Sequence, residues 1–327
     1  MLTIPKSIYK EVIELACMKK SVIVIFLLVL LVACAARKAK EPQPVDFRSG
    51  TQGLYLTFVP NLPPPKLFDR DPFNAMIQVE NRGTSAVGAP YDRIYLSGFD
   101  NTIITGINTY GEQIPAMEGR GPFMPQGGID TVNFRGTIQS LTGKRVDKYT
   151  PTILATACYN YETIASAQVC IDPNPYAPTS VQRVCIPTTV SPGSQGAPIA
   201  VTSVGVDASP GKTRFTIRIS NVGGGDVFKF GPQYMDSCSP YNPGLGFDEI
   251  DYVQVGEVSV ADVSIRETCK PVDIRDGHVR LTNGQATLFC EFVGMREQSP
   301  YVTPLNVILR YGYRQSIARP IEIRPIS

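Results

Sequence analysis

Tryptophan is absent from these 327 residues, histidine occurs once, and no Asn-x-Ser/Thr sequon is present. With His278 alone available, any Ser-His-Asp or Cys-His site must run through that one imidazole. The missing sequon removes support for a glycan shield. Windows with helical periodicity are scarce after Ala33. Excess charge is missing too. Of 31 basic and 29 acidic residues, residues 1–33 hold four lysines and two glutamates, which leaves 27 of each sign in the remaining 294 residues. No basic stripe or acidic tail stands out, so a nucleic-acid partner is not expected.

What is present begins with an export signal. Lys19 and Lys20 precede an apolar run from Val22 to Val32, which closes on Leu31-Val-Ala-Cys34. A basic start, a short apolar core and a small residue before the cut are the parts of a secretory signal. A spanning helix needs about 20 apolar residues, more than this run supplies. The cut before cysteine resembles the lipobox of prokaryotic lipoproteins, which implies lipid on Cys34. Met18 stands where such a signal normally starts, so residues 1–17, with Cys17, read as an upstream extension. The expected order is signal peptide 1–33, tether 34–50, β-sandwich domain 51–186, linker 187–198 and β-sandwich domain 199–327.

The two domains come from an internal repeat. Asn81 in a strand ending Asn-Arg-Gly answers Asn221 in a strand ending Asn-Val-Gly, at an offset of 140. Gly128 answers Gly284 at 156, and Tyr159-Asn-Tyr161 answers Tyr311-Gly-Tyr313 at 152. Three landmarks in one order at nearly constant offset indicate a tandem repeat. Short alternating runs bury one face and wet the other, as in an all-β sandwich. Asn283-Gly284 is a two-residue hairpin signal. The Pro/Gly-rich stretch 187–198 suits a linker.

A strand ending in Val-x-Asn-x-Gly, followed by a Gly-led strand with Thr-Val-x-Phe, resembles the CARDB-type immunoglobulin-like adhesion modules of archaeal and bacterial surface proteins. That resemblance implies two tandem immunoglobulin-like β-sandwich domains and a role in binding or adhesion. Each repeat departs from it by closing on Tyr-x-Tyr and by carrying cysteines, and neither has the tryptophan of antibody-type domains.

Six cysteines follow Cys34: Cys158, Cys170, Cys185, Cys238, Cys269 and Cys290. An even set in an exported chain implies disulfides, with 15 possible pairings. A turn near Ile164 would set Cys158 opposite Cys170 across a hairpin, with Arg310 and Glu322 as an ion pair at the same places in the second repeat. Cys269–Cys290 and Cys185–Cys238 complete the expectation. The Asn283-Gly284 turn puts Cys290 opposite Gly277, so Cys269–Cys290 must join strands that are not hairpin neighbours. Zinc is disfavoured because the closest cysteines lie 12 apart, too far for metal-ligand spacing.

The search for chemistry finds little. His278 lies in Arg275-Asp-Gly-His-Val, a turn entering a strand, and reads as a surface or strand-edge histidine. Neither a Gly-x-Ser-x-Gly elbow nor His-Glu-x-x-His occurs. Gly205 to Thr213 imitates a phosphate loop, but it has the wrong spacing and leads into a strand. Asp69-Arg-Asp71 and Asp248-Glu-Ile-Asp251 are weighed as calcium loops and read as solvated charge. The four tyrosines of the Tyr-x-Tyr motifs read as core aromatics. The long segment from Phe99 to Gly128, with Ile103, Ile104, Ile107, Ile114, Met117, Phe123 and Met124, is either a partner-binding loop or part of the sandwich. The expectation is a lipid-anchored, non-catalytic envelope protein without metal or cofactor, tethered through Cys34. It would bind, adhere or scaffold, with a protein or envelope-polymer partner. A solute-binding lipoprotein and an envelope hydrolase are the alternatives.

Overall fold

Strict alternation builds the strands. In β3 (Pro72–Asn81) every second residue from Phe73 through Ala75, Ile77 and Val79 to Asn81 is buried, and its neighbours face outward. That is the pattern of a sheet with one wet face. The computed structural model describes residues 46–144, 146–177, 183–273, 275–294 and 299–326. Cys17 and Cys34 lie outside them.

In the first half, β1 (Leu54–Phe58), β3, β7 (Ile129–Ile138) and β5 (Ile104–Thr105) form an antiparallel sheet in the order β1-β3-β7-β5. In the second half, β9 (Ile199–Ser209), β10 (Lys212–Asn221) and β15 (Gln285–Val293) form its counterpart, in the order β15-β10-β9. Opposite both lies one large sheet. Its order is β13 (Val263–Ser264), β12 (Tyr252–Val260), β16 (Tyr301–Pro320), β8 (Thr152–Ile171), β4 (Arg93–Ser97) and β6 (Glu112–Gln113). Two short strands add to it: β11 (Asp226–Phe228) on β16, and β14 (His278–Arg280) on β12. A small parallel pair joins β2 (Lys66–Phe68) to β17 (Glu322–Arg324). The fold is all-β, with a short helix at Pro232–Cys238.

The large sheet changes the meaning of the repeat. β8 and β16 are each 20 residues long and pair antiparallel from end to end, Thr152 with Pro320 and Ile171 with Tyr301. Asn160 pairs with Gly312, its own counterpart in the repeat, so a pseudo-twofold axis runs through that pair. The two halves are sandwiches by topology, but one hydrophobic core runs through both and the described residues form one compact unit. The stretch 187–198 is no free linker. Val190 bridges Val204, Gln195 is buried, and Gly196 accepts the Thr84 backbone N–H.

The continuous β8 also overturns the predicted hairpin, because no turn occurs at Ile164. Cys158 and Cys170 sit 12 residues apart on one strand, and at about 3.3 Å per residue they are roughly 40 Å apart. A disulfide needs Cα atoms about 6 Å apart. The bonds are instead Cys158–Cys238, with Cα atoms 6.2 Å apart, and Cys170–Cys185, at 5.9 Å. Cys185–Cys238 therefore falls as well. Cys269–Cys290 is present, joining the segment before β14 to β15. Arg310 pairs with Glu162 across β8 and β16, and Glu322 pairs with Lys148 and Arg324, so the expected Arg310–Glu322 pair does not form.

Candidate functional surface at the junction of the halves

The three repeat landmarks converge on one hydrogen-bonded clamp, made twice. In the first half the Asn81 N–H donates to Gly128 O at 2.8 Å, and the Asn81 side chain holds Ser85 O and the Gly83 N–H. In the second half the Asn221 N–H donates to Gly284 O at 2.8 Å, and the Asn221 side chain holds Gly225 O and the Gly223 N–H. Each clamp is sealed by a tyrosine hydroxyl. Tyr161 donates to Asn81 Oδ1 and accepts from Ser85 N; Tyr313 donates to Asn221 Oδ1 and accepts from Gly225 N. Tyr159 and Tyr311 likewise accept the backbone N–H of Leu54 and Ile199.

The glycines of Asn-x-Gly leave room for those hydroxyls. A Cβ on Gly83 would lie 1.9 Å from the Tyr161 oxygen, and one on Gly223 2.5 Å from the Tyr313 oxygen. All four tyrosines are buried, as the sequence reading expected. Burial raises each phenol pKa, that of Tyr313 to about 12, so these rings stay neutral and serve the structure.

Each clamp borders an open cavity of about 390 Å³. The second-half cavity is lined by Gly223 to Asp226, Arg314 to Ile317 and residues of β1. Arg314 grips Asp226 there with two N–H donors, at 3.0 and 2.7 Å. The first-half cavity has Ala86 and Glu162 where the other has Asp226 and Arg314, and Ile164 where the other has Ser316. Phe47, Arg48, Arg120 and Pro122 complete it. The repeat places two equivalent cavities, one with an ion pair across Asp226 and Arg314 and one with Ala86 and Glu162 in those places.

The first-half cavity leads to a braced tip. Gly121 and Met124 exchange backbone hydrogen bonds, and Arg120 Nε donates to Pro125 O at 2.9 Å. Arg120 Nη1 reaches Ser49 O at 3.0 Å, which ties the tip to the first described residues. Phe123 stands at its apex, fully exposed, with Met124 partly exposed beside it. The segment from Phe99 to Gly128 thus divides in two: Ile103, Ile104, Ile114 and Met117 enter the core with Ile107 packed against it, while Tyr110, Phe123 and Met124 are exposed. Hydrophobic character alone could not separate these groups, because both have it.

In the second half, Phe247 is exposed and carries the Arg280 guanidinium 3.5 Å from its ring centroid. Tyr252, with Lys229 Nζ 4.8 Å from its centroid, extends this stack.

His278 lies on the short edge strand β14, as expected of a strand-edge residue, but it is buried and not at the surface. Burial lowers its pKa, so the ring is neutral near pH 7. Nδ1 lies 3.0 Å from Asp276 Oδ2, and among the described residues neither ring nitrogen makes a well-formed hydrogen bond. Among the described residues no hydroxyl or thiol is hydrogen-bonded to it. The acidic clusters serve turns. Asp69 accepts the N–H groups of Leu141 and Ile326, Asp71 accepts that of Phe68, and Glu249 accepts that of Gly246. Among the described residues no group of three His, Cys, Asp or Glu side chains is placed to hold a metal ion. The phosphate-loop mimic is a hairpin turn, with Ser209 paired to Lys212.

Three disulfides are the mark of an oxidising, extracytoplasmic compartment. Among the described residues no helix is long and apolar enough to cross a membrane. No known family model matches the chain, and no curated protein is significantly similar to it.

Proposed function

We propose that this chain is a lipid-anchored, non-catalytic binding or scaffolding protein of the cell envelope, held at the membrane through Cys34. One observation carries the reading. Buried polar groups such as Asn81, Tyr161 and Asp69 are engaged in the two clamps and in turns, while exposed aromatics such as Tyr110, Phe123 and Phe247 project from loops. Rigid scaffolds that present exposed loop residues are the common form of binding modules. An envelope hydrolase finds no support in the neutral His278, to which no hydroxyl or thiol among the described residues is hydrogen-bonded. A solute-binding lipoprotein with α/β lobes finds none in an all-β fold.

The test places a photocrosslinking residue at Tyr110 or Phe247 and irradiates intact cells. A discrete adduct of protein or envelope polymer supports the binding role, and its absence at both positions counts against it. Separately, Cys34→Ser should release the protein from the membrane fraction or leave its signal uncut. Unchanged membrane partition of a matured variant would remove the lipid anchor from the reading.

A further inference from the structure

We propose that the tip at 121–125 inserts into the surface of the same bilayer that holds the Cys34 anchor, with Phe123 leading. The inference rests on the reading of Cys34 as lipidated. Three observations converge on it. First, Phe123 is wholly exposed at the apex of a braced turn, with Pro122 and Met124 beside it. Two proline rings and the Arg120 bonds hold the aromatic ring out in water, where Pro122, Phe123 and Met124 form one contiguous exposed apolar cluster. Aromatic side chains on a rigid mount suit the boundary between headgroups and acyl chains.

Second, the tip sits where the membrane tether arrives. Phe47 and Arg48 line the same cavity as Pro122, and Arg120 donates to Ser49 O. The stretch of chain from Cys34 to Asp46 is short. Its length alone limits its reach to about 40 Å. Such a tether keeps the tip close to the lipid surface. Arg37, Lys38 and Lys40 outnumber Glu41 along it, and Arg48 continues the basic character at the cavity rim. Anionic headgroups attract such a segment.

Third, the repeat supplies an internal control. The equivalent cavity in the second half, which Phe47 and Arg48 do not line, carries the Asp226–Arg314 pair and Ser316 where the first has Ala86, Glu162 and Ile164. Among the described residues, the cavity beside the exposed Phe123 tip is the one that Phe47 and Arg48 line.

Because the chain lacks tryptophan, Phe123→Trp gives a single fluorescent reporter. The full lipidated protein is reconstituted into phosphatidylglycerol/phosphatidylethanolamine vesicles, and emission is read with and without brominated phospholipid. Co-flotation with the vesicles is checked on the same sample. Phe247→Trp serves as the reporter of the second half. The expected result is co-flotation, blue-shifted emission and quenching for Phe123→Trp, with neither optical change for Phe247→Trp. Co-flotation without a shift or quenching at position 123 overturns the insertion and leaves the anchor standing, as would a protein partner at the tip. Equal quenching of both reporters overturns it too, because the protein would then lie on lipid without a preferred face. A protein that does not co-float removes the anchor, and the insertion with it.

Discussion

The ring of Phe228 fills the space that a side chain at Gly312 would need: a Cβ there would lie 2.1 Å from Phe228 Cε2. Gly312 pairs with Asn160 on the pseudo-twofold axis and with Phe228 on its other edge. Gly312→Ala should therefore destabilise the fold by at least about 1–3 kcal/mol, the cost of overpacking a filled core. Urea denaturation measures it. A variant within a few tenths of a kcal/mol of wild type would mean that Phe228 moves freely.

The clamps are not equal. Asn81 is fully buried and Asn221 only partly. Removing Asn81 strands Ser85 O and takes the acceptor from the Tyr161 hydroxyl, and each buried orphan costs about 1–3 kcal/mol. Asn81→Ala should lower stability clearly more than Asn221→Ala. The reverse order would show that burial does not set the strength of a clamp.

The disulfides differ in the loops they close. Cys158–Cys238 spans 80 residues and Cys170–Cys185 spans 15. In the chain-entropy account these are worth about 4.5 and about 3 kcal/mol. The double serine variant of Cys158 and Cys238 should be the less stable of the two in thermal melts. Peptide mapping without reduction checks the connectivity directly, and a peptide joining Cys158 to Cys170 would refute it.

Asp69 predicts a pH dependence. The N–H groups of Ile326 and Leu141, followed by the Ser140 hydroxyl, hold its pKa below the ordinary carboxylate value. A depressed folded pKa adds stability that is complete above the unfolded value of about 4 and is lost as pH falls through the folded one. The stability gap between wild type and Asp69→Asn should thus be widest near neutrality and narrow in acid. A gap that stays constant from neutral pH into that range would show that the charge plays no part.

Proteolysis within 187–194 should leave the halves together even after reduction, since β8 and β16 remain paired along 20 residues. Size-exclusion chromatography of the nicked, reduced protein reads the outcome. Two separable fragments would restore the picture of independent domains.

Much of the fold was legible in the sequence. The alternation in β3 and β10, the Asn283-Gly284 turn with both residues at positive φ, and the burial of the paired tyrosines follow from local rules. The repeat also pointed to the right residues: Asn81, Gly128 and Tyr161 prove to be one clamp. What misled was the span from Asn160 to Ala167. It contains no glycine or proline, so it lacked the chemistry of a turn, yet two short strands are more usual than one as long as β8. Which strands lie side by side across the halves is a long-range fact that periodicity does not carry. The brace under Phe123 was invisible for the same reason, since Arg120 meets Ser49 O 71 residues earlier.

The pairing of β8 with β16 also sets a timetable for the nascent chain. Thr152 must wait for Pro320, near the end of the sequence, before its ladder is complete. At about 5–20 residues per second the long apolar edge of β8 stays unpaired for roughly 10–30 seconds of synthesis. An open strand edge invites pairing with other chains. A chain that stops anywhere between the two strands would leave that edge of β8 without the partner that covers it in the finished protein.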